Sequence, residues 1–561
     1  MKKYKREDYS LEIFKGILFF LPMIFGLFYE FSAFLSGCIL TLFLIYITYT
    51  KGKLKVGINL NIICVGVISF SYLLTVLFSI DKGMSFIGFL RIIPLMLFVV
   101  TLMQFSYEDK EKIINVIPKS AGVMVLVSVF SFFIKSLKDY FYMANRLGGF
   151  FQYPNTFALY LLIGIIILGY KSEYKKEDYI NLAILFIGIL LTGSRSIFIF
   201  TIVTLGILIL RGKELRKKLL IGTSSIIIIG GGIAIITNNY QNVGRFLTIS
   251  LNSSTLLGRL LYYKDGLKLL IQNPFGLGYM GYYYIQPQVQ TGVYTTKFIH
   301  NDFLQIALDC GLVALIAILV LIASGIISKK ISKRNKYIIL VITLSSLLEF
   351  NFQFLIIFFV LLLCLDRGCL RIKEYSKKKS IKLINSLLSI LAIVFIYFFF
   401  VFFAEYNDED KVALEMYKWN TLSKVKVMMK ETDMYEAEKM ADNILSQNKY
   451  ISEAYNIKAL SSASKREYYD MVEYKKQAIK NNKYLIQEYD GYVELLRIAI
   501  NHYSSIGQKE NKDNFITYLK EIPNMLIELE DGTSNLAFKI NDKPTFKLSK
   551  INQDYIKLMC R

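Results

Sequence analysis

The stretch TKFIHNDFLQIALDCGL, residues 296–312, holds His300, one of two histidines in 561 residues. Asn301 and Asp302 follow it directly, at the mouth of an apolar run long enough to cross a bilayer. Imidazole titrates near neutral pH, so at such a boundary it could take a proton from a hydroxyl. A satisfied structural histidine is the plain alternative. Four arginines share the question. Arg91 lies inside the apolar segment IGFLRIIPLML, Arg146 in a polar-aromatic stretch, Arg195 behind Gly193-Ser194, and Arg259 at the start of an amphipathic segment. A guanidinium stays charged and grips phosphate with two parallel N–H groups. Arg91 is costly, about 2.5–3.5 kcal/mol at mid-span, so it either snorkels to lipid headgroups or meets an anion. Arginines gathered on one face imply a polyanion at the membrane surface. A lipid-linked diphosphate fits, because its tail lies in the bilayer and its phosphates at that depth.

Other chemistries lack their residues. No phosphate-cradling Gly-rich loop, dinucleotide fingerprint, HExxH or Cys/His cluster occurs. The first outer loop offers only Glu30, with no paired acids after it, so neither metal nor cofactor is expected. The six cysteines give no disulfide framework and read as small buried hydrophobes.

Elements must carry these groups. Hydrophobic residues make up 54% of the chain, and mean hydropathy is +0.43. Residues 404–561 hold 24 Lys/Arg and 25 Asp/Glu, against 42 and 19 in 1–403. The first part is therefore strongly basic, with its charge in short clusters between apolar runs. That is the positive-inside pattern and needs no nucleic acid. Runs of spanning length fall at 11–29, 31–49, 58–80, 84–105, 113–136, 154–170, 179–193, 195–210, 218–237, 301–327, 336–350, 353–366 and 382–403. The N-terminal run has no cleavage site and reads as a first span. KGKLK (51–55), YKSEYKKED (170–178), RGKELRKK (211–218), SKKISKRNK (328–336) and RIKEYSKKKSIK (371–382) fall on alternate connections, with SYEDKEK (106–112) a weaker member. Taking these as cytoplasmic closes an alternating path of twelve to thirteen spans. It puts 135–155, the 193–195 turn, the loop 238–300 and everything after 403 outside, so His300, Arg146, Arg195 and Arg259 share one face.

Within the loop, GRLLYYKDGLKLLIQNPFGLGY predicts an amphipathic helix over 257–272, stopped by Asn273-Pro274 and followed by a Gly276/Gly278 turn. Leu260, Leu261, Leu267 and Leu270 suit a helix at the interface. Tyr282, Tyr283, Tyr284 and Tyr294 could stack on sugars or form an interfacial aromatic belt. The tail repeats itself: SQNKYISEAY (446–455) and IKNNKYLIQEY (479–489) align at an offset of 34 residues, the tetratricopeptide period. Such helical hairpins present a face to a protein partner, although a plain helical cap on the membrane domain is the alternative. The expected architecture is thus all-α: a polytopic membrane domain over 1–403 and a tetratricopeptide-like extracytoplasmic domain over 404–561.

GGFFQYPNTFALYL, LLTGSRSIFIF, GRLLYYKDGLKLLIQNPFGLGYMGY and HNDFLQIALDCGLVALI together resemble the successive blocks of the O-antigen ligase and polymerase family. The resemblance covers about 146–325 well and 1–403 by topology. It implies a GT-C type membrane glycosyltransferase of the bacterial cytoplasmic membrane. Such an enzyme moves a glycan from undecaprenyl diphosphate to an acceptor hydroxyl (glycan, lipid or protein) on the outer face, without metal. By position, His300 matches the family's essential histidine, and Arg195 and Arg259 its phosphate-binding arginines. Arg91 and Arg146 join the donor site by location alone, and Asn155, Asn301 and Asp302 look like positioning groups. Attack opposite the departing diphosphate would invert the anomeric centre. A polymerase differs only in its acceptor. A flippase for the same lipid-linked glycan is the alternative of another class; it is disfavoured because the critical groups cluster at outer ends rather than at the midplane.

Overall fold

The computed structural model describes residues 8–211 and 253–559. The expected span 218–237, most of the basic cluster 211–218 and loop residues 238–252 lie outside the described residues. Up to residue 406 the described helices are α1 (Ser10–Phe20), α2 (Glu30–Lys51), α3 (Leu60–Thr75), α4 (Lys82–Leu102), α5 (Tyr107–Ile114), α6 (Ile117–Ser131), α7 (Lys135–Phe141), α8 (Pro154–Gly169), α9 (Lys176–Thr192), α10 (Arg195–Arg211), α11 (Ser254–Gln272), α12 (Gly281–Val289), α13 (Asp302–Ile327), α14 (Lys333–Ser346), α15 (Leu355–Leu365) and α16 (Lys378–Tyr406). Two short ribbons complete this part, β1 (Leu54–Ile58) with β4 (Arg371–Tyr375), and β2 (Tyr142–Met143) with β3 (Arg146–Leu147), both antiparallel.

Among the described residues, α2, α4, the α5–α6 stretch Tyr107–Ser131, α13 and α16 are long and apolar enough to cross a membrane. α3, α8, α15 and Arg195–Leu210 are shorter apolar helices. The chain is a multi-pass α-helical membrane protein, and among the described residues fewer helices reach full spanning length than there are apolar runs. Turn residues shorten several runs. α1 gives way at Leu21–Pro22 to two tight turns, with Gly26 at φ 59°. The nearly continuous runs 336–350 and 353–366 are separated by a connection at 347–354 whose one short 3-10 turn, Asn351–Gln353, carries Asn351 and Gln353.

α8 and α15 form the centre, with every residue of α15 and all of α8 except Asn155 buried. Lipid tails are as apolar as these side chains, so close packing and internal hydrogen bonds hold the helices together. Phe98 on α4 stacks on Phe359 of α15 with ring centroids 4.3 Å apart. Gly37 admits the Phe395 ring between α2 and α16; a Cβ there would sit 2.7 Å from it. The connections divide into two groups. At one end β1 pairs with β4, Lys110 meets Asp366 at 2.5 Å, and Arg334 meets Glu111 at 2.9 Å, bringing four basic connections together. His300, Arg146 and Arg259 belong to the other group.

The helix that follows His300 is broken on purpose. α13 loses helical geometry at Cys310 and Gly311, where Gly311 has φ +85°. The Asn-Pro-Phe-Gly-Leu-Gly turn braces the break. Leu277 and Gly278 N–H groups donate to the Leu308 and Asp309 carbonyls at 2.7 and 2.9 Å, and Leu312 N–H donates to the Pro274 carbonyl at 3.0 Å. A Cβ on Gly311 would lie 2.8 Å from the Phe275 backbone, in a conformation that L side chains rarely adopt. Gly311→Ala should therefore lower the melting temperature of the detergent-solubilised protein by several degrees. An unchanged melting temperature would mean that the brace is dispensable.

Residues 410–559 form a run of hairpin-packed helices: α17 (Asp410–Met416), α18 (Thr421–Lys430), α19 (Met434–Gln447), α20 (Ser452–Ser464), α21 (Tyr468–Asn481), α22 (Ile486–Ser505), α23 (Lys509–Asp531) and α24 (Lys550–Met559). α19 and α21 begin at 434 and 468, and α20 and α22 at 452 and 486, so both helices of the hairpin recur 34 residues on. This part also covers the first. Tyr417 Oη donates to the Gly83 carbonyl at 2.9 Å, and Ser534 N–H to the Thr291 carbonyl at 2.8 Å. Ala537 and Ile540 pack on Leu261 and Tyr294.

Candidate active site

A carboxylate that the motifs did not single out organises the polar end. Glu349 lies in the 347–354 connection between α14 and α15, its side chain 2% exposed. Its Oε1 accepts from Arg259 Nη2 and, at 2.7 Å, from Asn155 Nδ2. Its Oε2 accepts from Tyr153 Oη at 2.6 Å and lies 3.2 Å from His300 Nδ1. Burial pushes the Glu349 carboxyl up, but Arg259, His300 and Tyr153 outweigh it and hold it down at about 2. A buried carboxylate with four partners is an ionised, fixed charge. A proton on His300 Nδ1 satisfies the contact with Glu349 and leaves the Nε2 lone pair to accept another.

Local structure explains why these side chains meet. Asn301 caps α13, its Oδ1 accepting from Phe303 and Leu304 N–H at 3.1 and 3.0 Å. His300 therefore precedes the cap, outside the helix. Arg259 and Tyr263 stand one turn apart on α11. Arg259 reaches Glu349, while Tyr263 Oη donates to the His300 carbonyl and lies 3.0 Å from the Leu347 carbonyl. One helical face thus holds both the histidine backbone and the Glu349 connection. The far side of that connection is tied by Asp302, whose Oδ1 accepts from Phe352 N–H at 3.0 Å. Asn351 accepts from Thr156 Oγ1 of α8 at 2.8 Å. The Phe350 ring stands edge-on to the imidazole, 5.0 Å between centroids.

The other predicted residues fall at different distances from this centre. Arg146, on the β2–β3 hairpin, donates Nη2 to Asn155 Oδ1 at 2.7 Å and Nε to the Thr192 carbonyl at 2.8 Å. It is one side chain removed from Glu349. Arg195 opens α10 three residues beyond that Thr192 carbonyl. Arg91 is placed apart. It is 2% exposed, with Nη1 on Gln353 Oε1 at 2.8 Å and Nη2 on the Gln353 and Phe28 carbonyls at 2.5 and 2.7 Å. Its two Nη groups are taken up by the fold rather than by headgroups, and it fixes the end of the Glu349 connection. Asn155, Asn301 and Asp302 each sit in the hydrogen-bond scaffold just described.

Of the loop tyrosines, Tyr282, Tyr284 and Tyr294 are buried and Tyr283 is half-buried, which disfavours the sugar-stacking alternative for the first three. Tyr294 Oη donates to Asp265 at 2.8 Å beneath the tail residues Ala537 and Ile540. Among acids the sequence points to Glu30 in the first outer loop and to Asp302 as a positioning group, and it does not single out Glu349. Its signal was available: Glu349 is the only acidic residue between 337 and 365, in an otherwise apolar stretch.

The fold and this cluster define a multi-pass helical membrane protein with an Arg–carboxylate–His centre among the connections at one end. Residues 180–319 match the family model described as O-antigen ligase. That segment carries Arg195, Arg259, His300, Asn301 and Asp302, and it is the family that the four sequence blocks resemble. Glu349, Arg91, Arg146 and Asn155 lie outside the matched residues. No curated protein gives a match to the chain.

Proposed function

We propose that the chain transfers a glycan from undecaprenyl diphosphate to an acceptor hydroxyl at the outer face of the cytoplasmic membrane. The observation that carries this reading is one buried carboxylate, Glu349, shared by Arg259 and His300. His300 Nε2 takes the proton of the acceptor hydroxyl as its oxygen attacks the anomeric carbon. The bond from that carbon to the diphosphate breaks on the opposite side, so the anomeric centre inverts. Undecaprenyl diphosphate leaves with its charge on Arg259 and Arg195, with Arg146 supporting through Asn155. Fixed guanidinium groups stabilise such a leaving group in the way a divalent cation would, without one. Glu349 orients the imidazole and balances its charge once protonated, as a carboxylate does behind a catalytic histidine. Arg91, Asn301 and Asp302 hold the connections in place.

The reading places the tail on the same side as the site, as a tetratricopeptide-like array that engages the acceptor's carrier or a protein partner. Sidedness has a direct test. Thr295→Cys and Ser505→Cys, at exposed positions in a cysteine-free background, should both react with an impermeant thiol reagent applied to intact cells. Labelling of either only after permeabilisation overturns the common outer face. The transfer itself is tested in membranes supplied with undecaprenyl-diphosphate-linked glycan. Loss of lipid-linked glycan with gain of acceptor-linked glycan is expected. Movement of intact lipid-linked glycan across the bilayer, with no transfer, would identify a flippase instead.

A further inference from the structure

Glu349 neutralises the arginine that a donor diphosphate would need. Arg259 gives Nη2 to Glu349 Oε1, while its Nε is buried with no hydrogen-bond partner. A buried N–H without a partner is expensive, and here it belongs to the one guanidinium bonded to the Glu349 carboxylate. Glu349, by contrast, is fully supplied, with four partners on its two oxygens. Without Arg259 its Oε1 would keep Asn155, and its Oε2 would keep Tyr153 and His300.

We infer that Glu349 is a positioning residue that holds Arg259 in reserve and exchanges it for the donor's diphosphate, keeping His300 when the donor is bound. The inference rests on the reading of Arg259 as a diphosphate ligand. No bond is made or broken in the exchange; one anion replaces another on a guanidinium whose Nε is ready to donate. Asn155, Tyr153 and His300 remain on the carboxylate, and its charge is then free to balance the imidazolium that forms when Nε2 takes the acceptor's proton. The base is thus best paired when the leaving group is in place. The same carboxylate competes with phosphate for Arg259 and repels it, so Glu349 weakens donor binding while it supports turnover.

Those opposite effects give the test. In Glu349→Gln the amide keeps the shape and the contact with Tyr153 but loses the charge. Purified full-length protein should then bind undecaprenyl diphosphate about tenfold more tightly, within the usual range for coupled sites. Glycan transfer in membranes should fall about 100-fold, because the protonated imidazole loses its counter-charge. A carboxylate that merely holds the fold together would lower both. Asn155→Ala is the second variant: with Oε1 left to Arg259 alone, the guanidinium is held harder and affinity for undecaprenyl diphosphate should drop. If Arg259→Lys weakens binding but Glu349→Gln leaves it unchanged or weaker, the exchange is overturned and the donor site stands. If Arg259→Lys leaves binding untouched, the diphosphate reading falls, and the exchange with it.

Discussion

Replacing His300 with alanine abolishes glycan transfer, and replacing it with glutamine does not restore it. Glutamine is close in size and can hydrogen-bond to Glu349 Oε2, which the histidine approaches at 3.2 Å. It cannot accept a proton at neutral pH. General-base catalysis is worth about 10²–10⁴-fold, and that is the loss expected in either variant. The fold should survive, because the His300 backbone is held from Tyr263 and by the Asn301 cap rather than by the ring. Undecaprenyl diphosphate binding should survive too, since guanidinium groups and not the imidazole hold the phosphates. The measurement is transfer in membranes alongside a binding titration on purified protein. Near-normal turnover in His300→Gln would make His300 a positioning group. Lost binding would move it into the phosphate site.

His300 and Arg259 were legible because rare or costly residue types at the ends of apolar runs stand out against a lipid-facing background. Glu349 was not, because its meaning lies in long-range contacts. It sits 49 residues from His300, 90 from Arg259 and 194 from Asn155, and alone in SLLEFNFQF it reads as a polar turn between two spans. Arg91 shows the same limit from the other side. Its depth and cost could be read, but its partner Gln353 is 262 residues away, so sequence could not tell a donor ligand from a structural tie. The helix 254–272 and its Asn-Pro stop followed from local rules, whereas the break in α13 that this turn braces depends on two segments meeting. The choice between the two readings of the loop tyrosines was out of reach for a similar reason. A tail that returns to cover Tyr294 is invisible in the loop's own composition.

Arg259→Lys tests the donor site more cleanly than any deletion. Alanine would leave Glu349 buried without its main counter-charge, and breaking a buried pair costs about 3–5 kcal/mol. Lost activity in that variant would not distinguish chemistry from folding. Lysine keeps the positive charge beside Glu349, so the cluster should stay intact and the protein should remain in the membrane. It lacks the fork, however. Arginine's planar fork offers a phosphate two parallel N–H groups once Glu349 releases it, whereas an ammonium is a point charge without that match. Loss of a preorganised donor to a developing oxyanion costs about 10²–10³-fold in turnover, and transfer should fall by that amount. Affinity for undecaprenyl diphosphate should fall with it, in contrast to His300→Gln, where turnover alone is lost. Full transfer by Arg259→Lys would mean that a point charge is all the site requires there. Arg259 would then serve as the counter-ion that keeps Glu349 ionised, and the diphosphate would have to be held from Arg195 and the hairpin that carries Arg146.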